Sequence, residues 1–133
     1  MARIDWTVLC DTAFLDQRGR LCLIGINQRL AVPALPFKLQ QVMLVARLVD
    51  IRAVDEISVS VGIVAPSGFR SARTGSGSVV IEMAGEYILV TLREIPLLET
   101  GVHRFQIRLR GQPVAVLDVN VSTAPAAAFT RTQ

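Results

Sequence analysis

Arg104-Phe105-Gln106-Ile107-Arg108-Leu109-Arg110-Gly111-Gln112-Pro113-Val114-Ala115-Val116-Leu117-Asp118-Val119-Asn120-Val121 is the stretch that decides the fold class. Phe105, Ile107 and Leu109 alternate with Arg104, Gln106, Arg108 and Arg110, the period of a strand with one face on a core and the other in water. Past a Gly111-Gln112-Pro113 turn, Ala115, Leu117, Val119 and Val121 form the matching inward set. A two-residue loop at Gly111-Gln112 would oppose Phe105 and Asp118 and bury a carboxylate against a ring. A three-residue loop over 111–113 instead pairs Phe105 with Val119 and sets Asp118 beside Gln106, diagonal to Arg104 and Arg108. That register is the expectation.

Working outward, period-two segments recur between turn signals. Ile4, Trp6, Val8 and Cys10 share one face, with Asp5, Thr7, Leu9 and Asp11 on the other, and Trp6 is expected in the core. Asp16-Gln17-Arg18-Gly19 places Asp first and Gly fourth in a type I turn, leading into a strand from Leu21 to Ile26. The prolines at 33 and 36 point to an irregular crossing, because proline cannot donate ladder hydrogen bonds. Val42 to Val49 is apolar except at Arg47, so both faces of that strand should be covered. Ile57, Val59, Val61 and Ile63 alternate with Ser58, Ser60 and Gly62, and further strands are expected over Phe69–Thr74, Val79–Ala84 and Tyr87–Ile95. No segment carries a capped 3.6-residue stripe, so helix is a minor component.

Eight or nine short strands point to an all-β domain, an antiparallel β-sandwich of the immunoglobulin/C2-like kind, with a barrel as the alternative. A chain of 133 residues fits one domain over 1–123, followed by a flexible tail over 124–133. Hydrophobic residues make up 51% and charged residues 19%, with no apolar run near the ~20 residues that a spanning helix needs. The opening residues lack a secretory apolar region, and a cytoplasmic location is the expectation. Cys10 and Cys22 have no metal or redox spacing and are expected to be reduced. The formal charge of +3 rests on arginines scattered from Arg3 to Arg131, a weak pointer to nucleic acid.

Glu99-Thr100-Gly101-Val102-His103-Arg104-Phe105 resembles the corner of immunoglobulin-like sandwiches, with His103 where that corner has tyrosine. The stretch from Cys10 to Ile26, followed by Pro36-Phe37, the strand at Val42 and the closing hairpin, resembles an uncharacterised bacterial family of small β-sandwich proteins, a domain of unknown function. The resemblance implies the fold and a bacterial or phage source, and it carries no reaction to transfer. Asp11, Asp16, Gly19 and Gly25 match its pattern, and turn chemistry is their plainest role.

No chemistry assembles from the remaining residues. His103 is the one histidine and is read as a packed or corner residue rather than a general base. One His and two Cys do not make a zinc site, and Asp11, Asp16, Asp50, Asp55 and Glu56 show no dense calcium-loop run. Thr74-Gly75-Ser76-Gly77-Ser78 lacks the lysine and the helix of a phosphate loop. Neither a catalytic residue, a metal, a cofactor, a small-molecule substrate nor a membrane is expected. Arg104, Arg108 and Arg110 form a candidate anion-binding stripe, although no aromatic residues interleave with it, and nucleic acid is not the favoured partner.

Leu21–Ile26, Val42–Val49, Ile88–Leu92 and Val114–Leu117 are apolar on both faces, more than one core requires. Such a surplus marks an interface. The sequence therefore suggests a non-enzymatic interaction or structural module, a homo-oligomer or a docking protein, with Val42, Leu44, Val45, Val114 and Val116 as candidate interface residues. The alternative is that the proline loop over Leu30–Leu39 and the C-terminal tail cover the extra face.

Overall fold

The structure, a computed structural model, describes residues 3–50, 59–68, 70–73, 79–109 and 112–124. The described residues form ten strands and no helix: β1 (Arg3–Leu15), β2 (Leu21–Ile26), β3 (Arg29–Val32), β4 (Phe37–Val49), β5 (Val59–Val64), β6 (Arg70–Arg73), β7 (Val79–Ala84), β8 (Tyr87–Leu97), β9 (Gly101–Leu109) and β10 (Gln112–Thr123). They make two five-stranded sheets, β2-β1-β4-β8-β7 and β3-β10-β9-β5-β6. The all-β expectation holds. The sheets share one hydrophobic core, in which Leu9, Val42, Leu44, Ile88 and Val90 of the first meet Val61, Ile63, Phe105, Ile107, Val119 and Val121 of the second.

Four details differ from the sequence expectation. The irregular crossing at 33–36 is preceded by a strand that the sequence reading did not place, β3, whose Arg29 to Val32 pair in parallel with Asn120 to Thr123 of β10 and bury Leu30 and Val32. In the closing hairpin Phe105 faces Leu117, not Val119, and Asp118 faces Arg104 directly. The β9–β10 pairing begins at Leu109 and Gln112, and a bulge between Pro113 and Ala115 absorbs one residue. That extra residue restores the inward set without the longer loop.

In β1 another bulge, between Ile4 and Trp6, swaps the faces. Ile4 and Leu9 pack on the shared core, whereas Trp6, Val8 and Cys10 lie on the opposite side of the sheet. Trp6 is therefore outside the main core, half-buried, its ring centroid 6.1 Å from that of Tyr87. Thr7 faces Ala46, and its Oγ1 is buried without a hydrogen-bond partner.

The fourth difference concerns what covers β4. Its two faces alternate as expected, Val42, Leu44, Ala46 and Leu48 entering the shared core and Met43 and Val45 pointing the other way. Met43 and Val45 are nevertheless buried in the subunit, in a second cluster with Cys10, Ala13 and Leu89. The cover is the β1–β2 hairpin. β1 leaves β4 after the Cys10–Met43 pair and runs on with β2 alone, so that Ala13, Leu21 and Leu23 pack onto this second cluster. The Ala13 amide donates to Met43 Sδ at 3.2 Å. At the other end Arg47 bonds both Asp5 (2.8 Å) and Glu86 (3.1 Å), carboxylates that together push the guanidinium pKa up.

The expected interface at Val42, Leu44 and Val45 is thus corrected: all three are interior, at 1% exposure or less. Neither the proline segment nor the tail needs to supply the cover.

Candidate interaction surface

The hairpin that hides β4 carries its own surplus. Alternation in β1 and β2 puts the Ala13–Leu23 and Leu15–Leu21 pairs on one face and the Thr12–Ile24 and Phe14–Cys22 pairs on the other. The first face holds Ala13, Leu21 and Leu23, the residues packed on the second cluster. The second leaves Phe14 44% and Ile24 53% exposed, and Ile26, opposite Cys10, is 57% exposed. β2 is also the outermost strand of its sheet, paired with β1 on one side and with no described strand on the other. Unpaired backbone and exposed apolar side chains therefore occur together.

Local chemistry fixes this hairpin. Gly19 N–H donates to Asp16 O at 2.9 Å and Gly19 has φ +76°, closing the expected turn. The Asp16 carboxylate accepts the Arg18 and Arg20 amides at 2.9 and 2.8 Å and Arg20 Nε at 2.7 Å. The Arg20 amide foremost, helped by the Arg20 side chain and the Arg18 amide, holds that carboxyl below its ordinary pKa. Gly25, inside β2, has φ +71°, and a Cβ there would run into Oδ2 and Cγ of Asp11. Asp11 Oδ1 in turn accepts Asn27 Nδ2 at 2.9 Å, so Asp11 closes over Gly25 and is pinned from the next residue but one.

The other sequence candidates separate. His103 is 3% exposed, and its Nδ1 lies 3.2 Å from the Gly101 carbonyl oxygen, two residues upstream. It stands where β8 of one sheet passes to β9 of the other, a corner residue in the expected place. Glu99 ties that corner to the turn after β5, accepting Ser67 N–H at 2.9 Å and Ser67 Oγ–H at 2.6 Å. His103 and Glu99 line a small, largely apolar pocket with Ile63, Ala65, Ile95, Pro96 and Leu98.

Arg104 and Arg108 share the outer face of the second sheet, as expected. Arg104 lies 3.6 Å from Asp118, and Arg108 donates to Gln106 Oε1 at 3.4 Å, so each is turned toward a neighbour on that face. Val116 is 53% exposed beside them, opposite Gln106. Arg110, Asp55, Glu56, the Thr74–Ser78 loop and the tail from 125 onward lie outside the described residues, as does the side chain of Val114.

The model of a family of unknown function, DUF6941, matches residues 5–122. The chain belongs to that family. Its match begins within β1 and ends within β10, so it takes in every strand of both sheets. No match is found among curated proteins.

Sequence reasoning counted Leu21–Ile26 among the strands apolar on both faces but placed its candidate interface residues at Val42, Leu44, Val45, Val114 and Val116, so it did not single out Phe14, Ile24 and Ile26. The signal was present in Leu21-Cys22-Leu23-Ile24-Gly25-Ile26, a strand with no polar side chain on either face.

Proposed function

We propose that this DUF6941 protein is a non-enzymatic interaction module of immunoglobulin/C2-like sandwich type, whose docking surface is the outer face of the β1–β2 hairpin. The observation that supports this reading is the exposure of Phe14 and Ile24 on a hairpin whose opposite face is already used in packing, with Ile26 exposed farther along the same edge strand. Scattered exposed apolar residues are ordinary, but neighbouring ones on a hairpin at the edge of a sheet mark a contact surface. The corner at His103 and Glu99 serves the fold, since each side chain bonds backbone or turn groups that join strands.

The test places a photoreactive phenylalanine analogue at position 14 and, as a control, at 116 on the other sheet, followed by irradiation in living cells. Adducts at position 14 that are absent at 116 support the reading. Equal adducts at both positions, or none at 14, reject it.

A further inference from the structure

We propose that a second site, on the other sheet and independent of the hairpin, binds a small organic monocarboxylate with an apolar body, its carboxylate taken by Arg104. The site is the groove between the turn after β5 and the start of β9.

The groove has the size and lining that such a ligand needs. Its volume is about 370 Å³, and Val64, Ala65, Pro66, Gly68, Val102 and Arg104 line it. Small-molecule sites span about 300–1,000 Å³ and combine apolar walls with a few placed polar groups. Val102 and Arg104 lie two residues apart on β9 and so share a face, and Val64 of β5 is the cross-strand partner of Arg104. Val102 is left 47% exposed there. An apolar floor thus ends at a single guanidinium.

The wall of the groove is tied down at three points. Gly68 N–H donates to Ala65 O at 2.8 Å, with Gly68 at φ +92°. Glu99 holds Ser67 through both its amide and its hydroxyl. Gly101, at φ +115°, lets Pro66 close on the start of β9, where a Cβ would stand 2.9 Å from Pro66 Cγ. A wall already formed spares the ligand the cost of ordering it.

Arg104 sets the chemistry of the occupant. Arg3, Arg20 and Arg47 each donate to a carboxylate at 3.0 Å or less. Arg104 stands 3.6 Å from Asp118, with both side chains more than half exposed, and makes no hydrogen bond to a described residue. Its planar fork is therefore open to a carboxylate, which it can grip through two parallel bonds. One cation among apolar walls balances one negative charge. The second charge and the remaining oxygens of a phosphate would be left against Val64 and Val102, at a desolvation cost that a carboxylate avoids.

The test is a titration of the isotope-labelled full chain with hexanoate, read from backbone amide chemical shifts, with hexanamide and inorganic phosphate as comparison ligands. Hexanoate should shift the amides of Val64, Ala65, Ser67, Gly68, Val102 and Arg104 and saturate with a Kd of about 1 mM, whereas hexanamide and phosphate should leave them in place. Arg104→Gln should weaken hexanoate about tenfold, and Arg18→Gln, on the hairpin turn, should not change it. Asp118→Asn removes the competing carboxylate and should tighten binding about threefold. The assignment is overturned by any of four results: no saturable shift at about 20 mM hexanoate, equal binding of hexanamide or phosphate, shifts confined to other parts of the chain, or wild-type affinity in Arg104→Gln.

Discussion

Truncating Val45 separates an internal β4 from an external one. Val45 is 0% exposed, flanked by Val8 on β1 and Leu89 on β8, and roofed by the β1–β2 hairpin. Val45→Ala removes two methyl groups from that cluster, about 1.6 kcal/mol of transfer free energy at ~0.8 kcal/mol per carbon. The hairpin is held by its own turn and by Asp11, so it cannot settle fully into the gap, and a cavity contribution brings the loss to about 2–3 kcal/mol. Val116→Ala makes the same chemical change at a site 53% exposed and should cost less than about 0.5 kcal/mol. Urea unfolding of both variants at one protein concentration, with unchanged slopes, measures the difference. Equal and small losses at both positions would refute the reasoning, because they would mean that the hairpin does not cover β4.

Three further outcomes follow from local geometry. Gly25→Ala should destabilise by about 1–3 kcal/mol in the same assay, since it forces a Cβ into Asp11 at a positive φ; a neutral result would remove Asp11 from that position. Thr7→Val should stabilise by about 1 kcal/mol, because an apolar branch replaces a buried hydroxyl that has no partner; a loss of stability would show that the hydroxyl is paired. The Asp16 carboxyl titrates below its ordinary value of 3.8, so its contribution is present above that pH and is lost as pH falls through the lower folded value. The wild type should therefore lose stability more steeply than Asp16→Asn on acidification below about pH 4, and parallel acid limbs would contradict this.

How much of this was legible in the sequence depends on whether the determining interaction is local. The alternation of Phe105, Ile107 and Leu109 with charged neighbours placed β9 correctly, and Asp16 and Gly19 announced their turn, because both signals lie within a few residues. The bulges at Ile4/Trp6 and Pro113/Ala115 were silent. A single inserted residue changes which side chains face each other without changing composition, so Trp6 moved off the main core and Asp118 moved opposite Arg104. β3 was illegible for a different reason: four residues beside a proline pair in parallel with a strand about ninety positions away, and nothing local encodes that contact.

The surplus apolar surface shows where period-two reading stops. Alternation establishes that Met43 and Val45 point away from Leu44, but it contains nothing about what lies over them. The same hairpin that covers them turns Phe14 and Ile24 outward, because adjacent residues on a strand take opposite faces. Covering one apolar side with a strand that is itself apolar on both sides moves the excess outward by one layer. A polar residue at 22, 24 or 26 would have ended that transfer at the molecular surface, as Glu82 does on the far edge of the same sheet. β2, which has no charged residue, leaves that side-chain surface exposed instead.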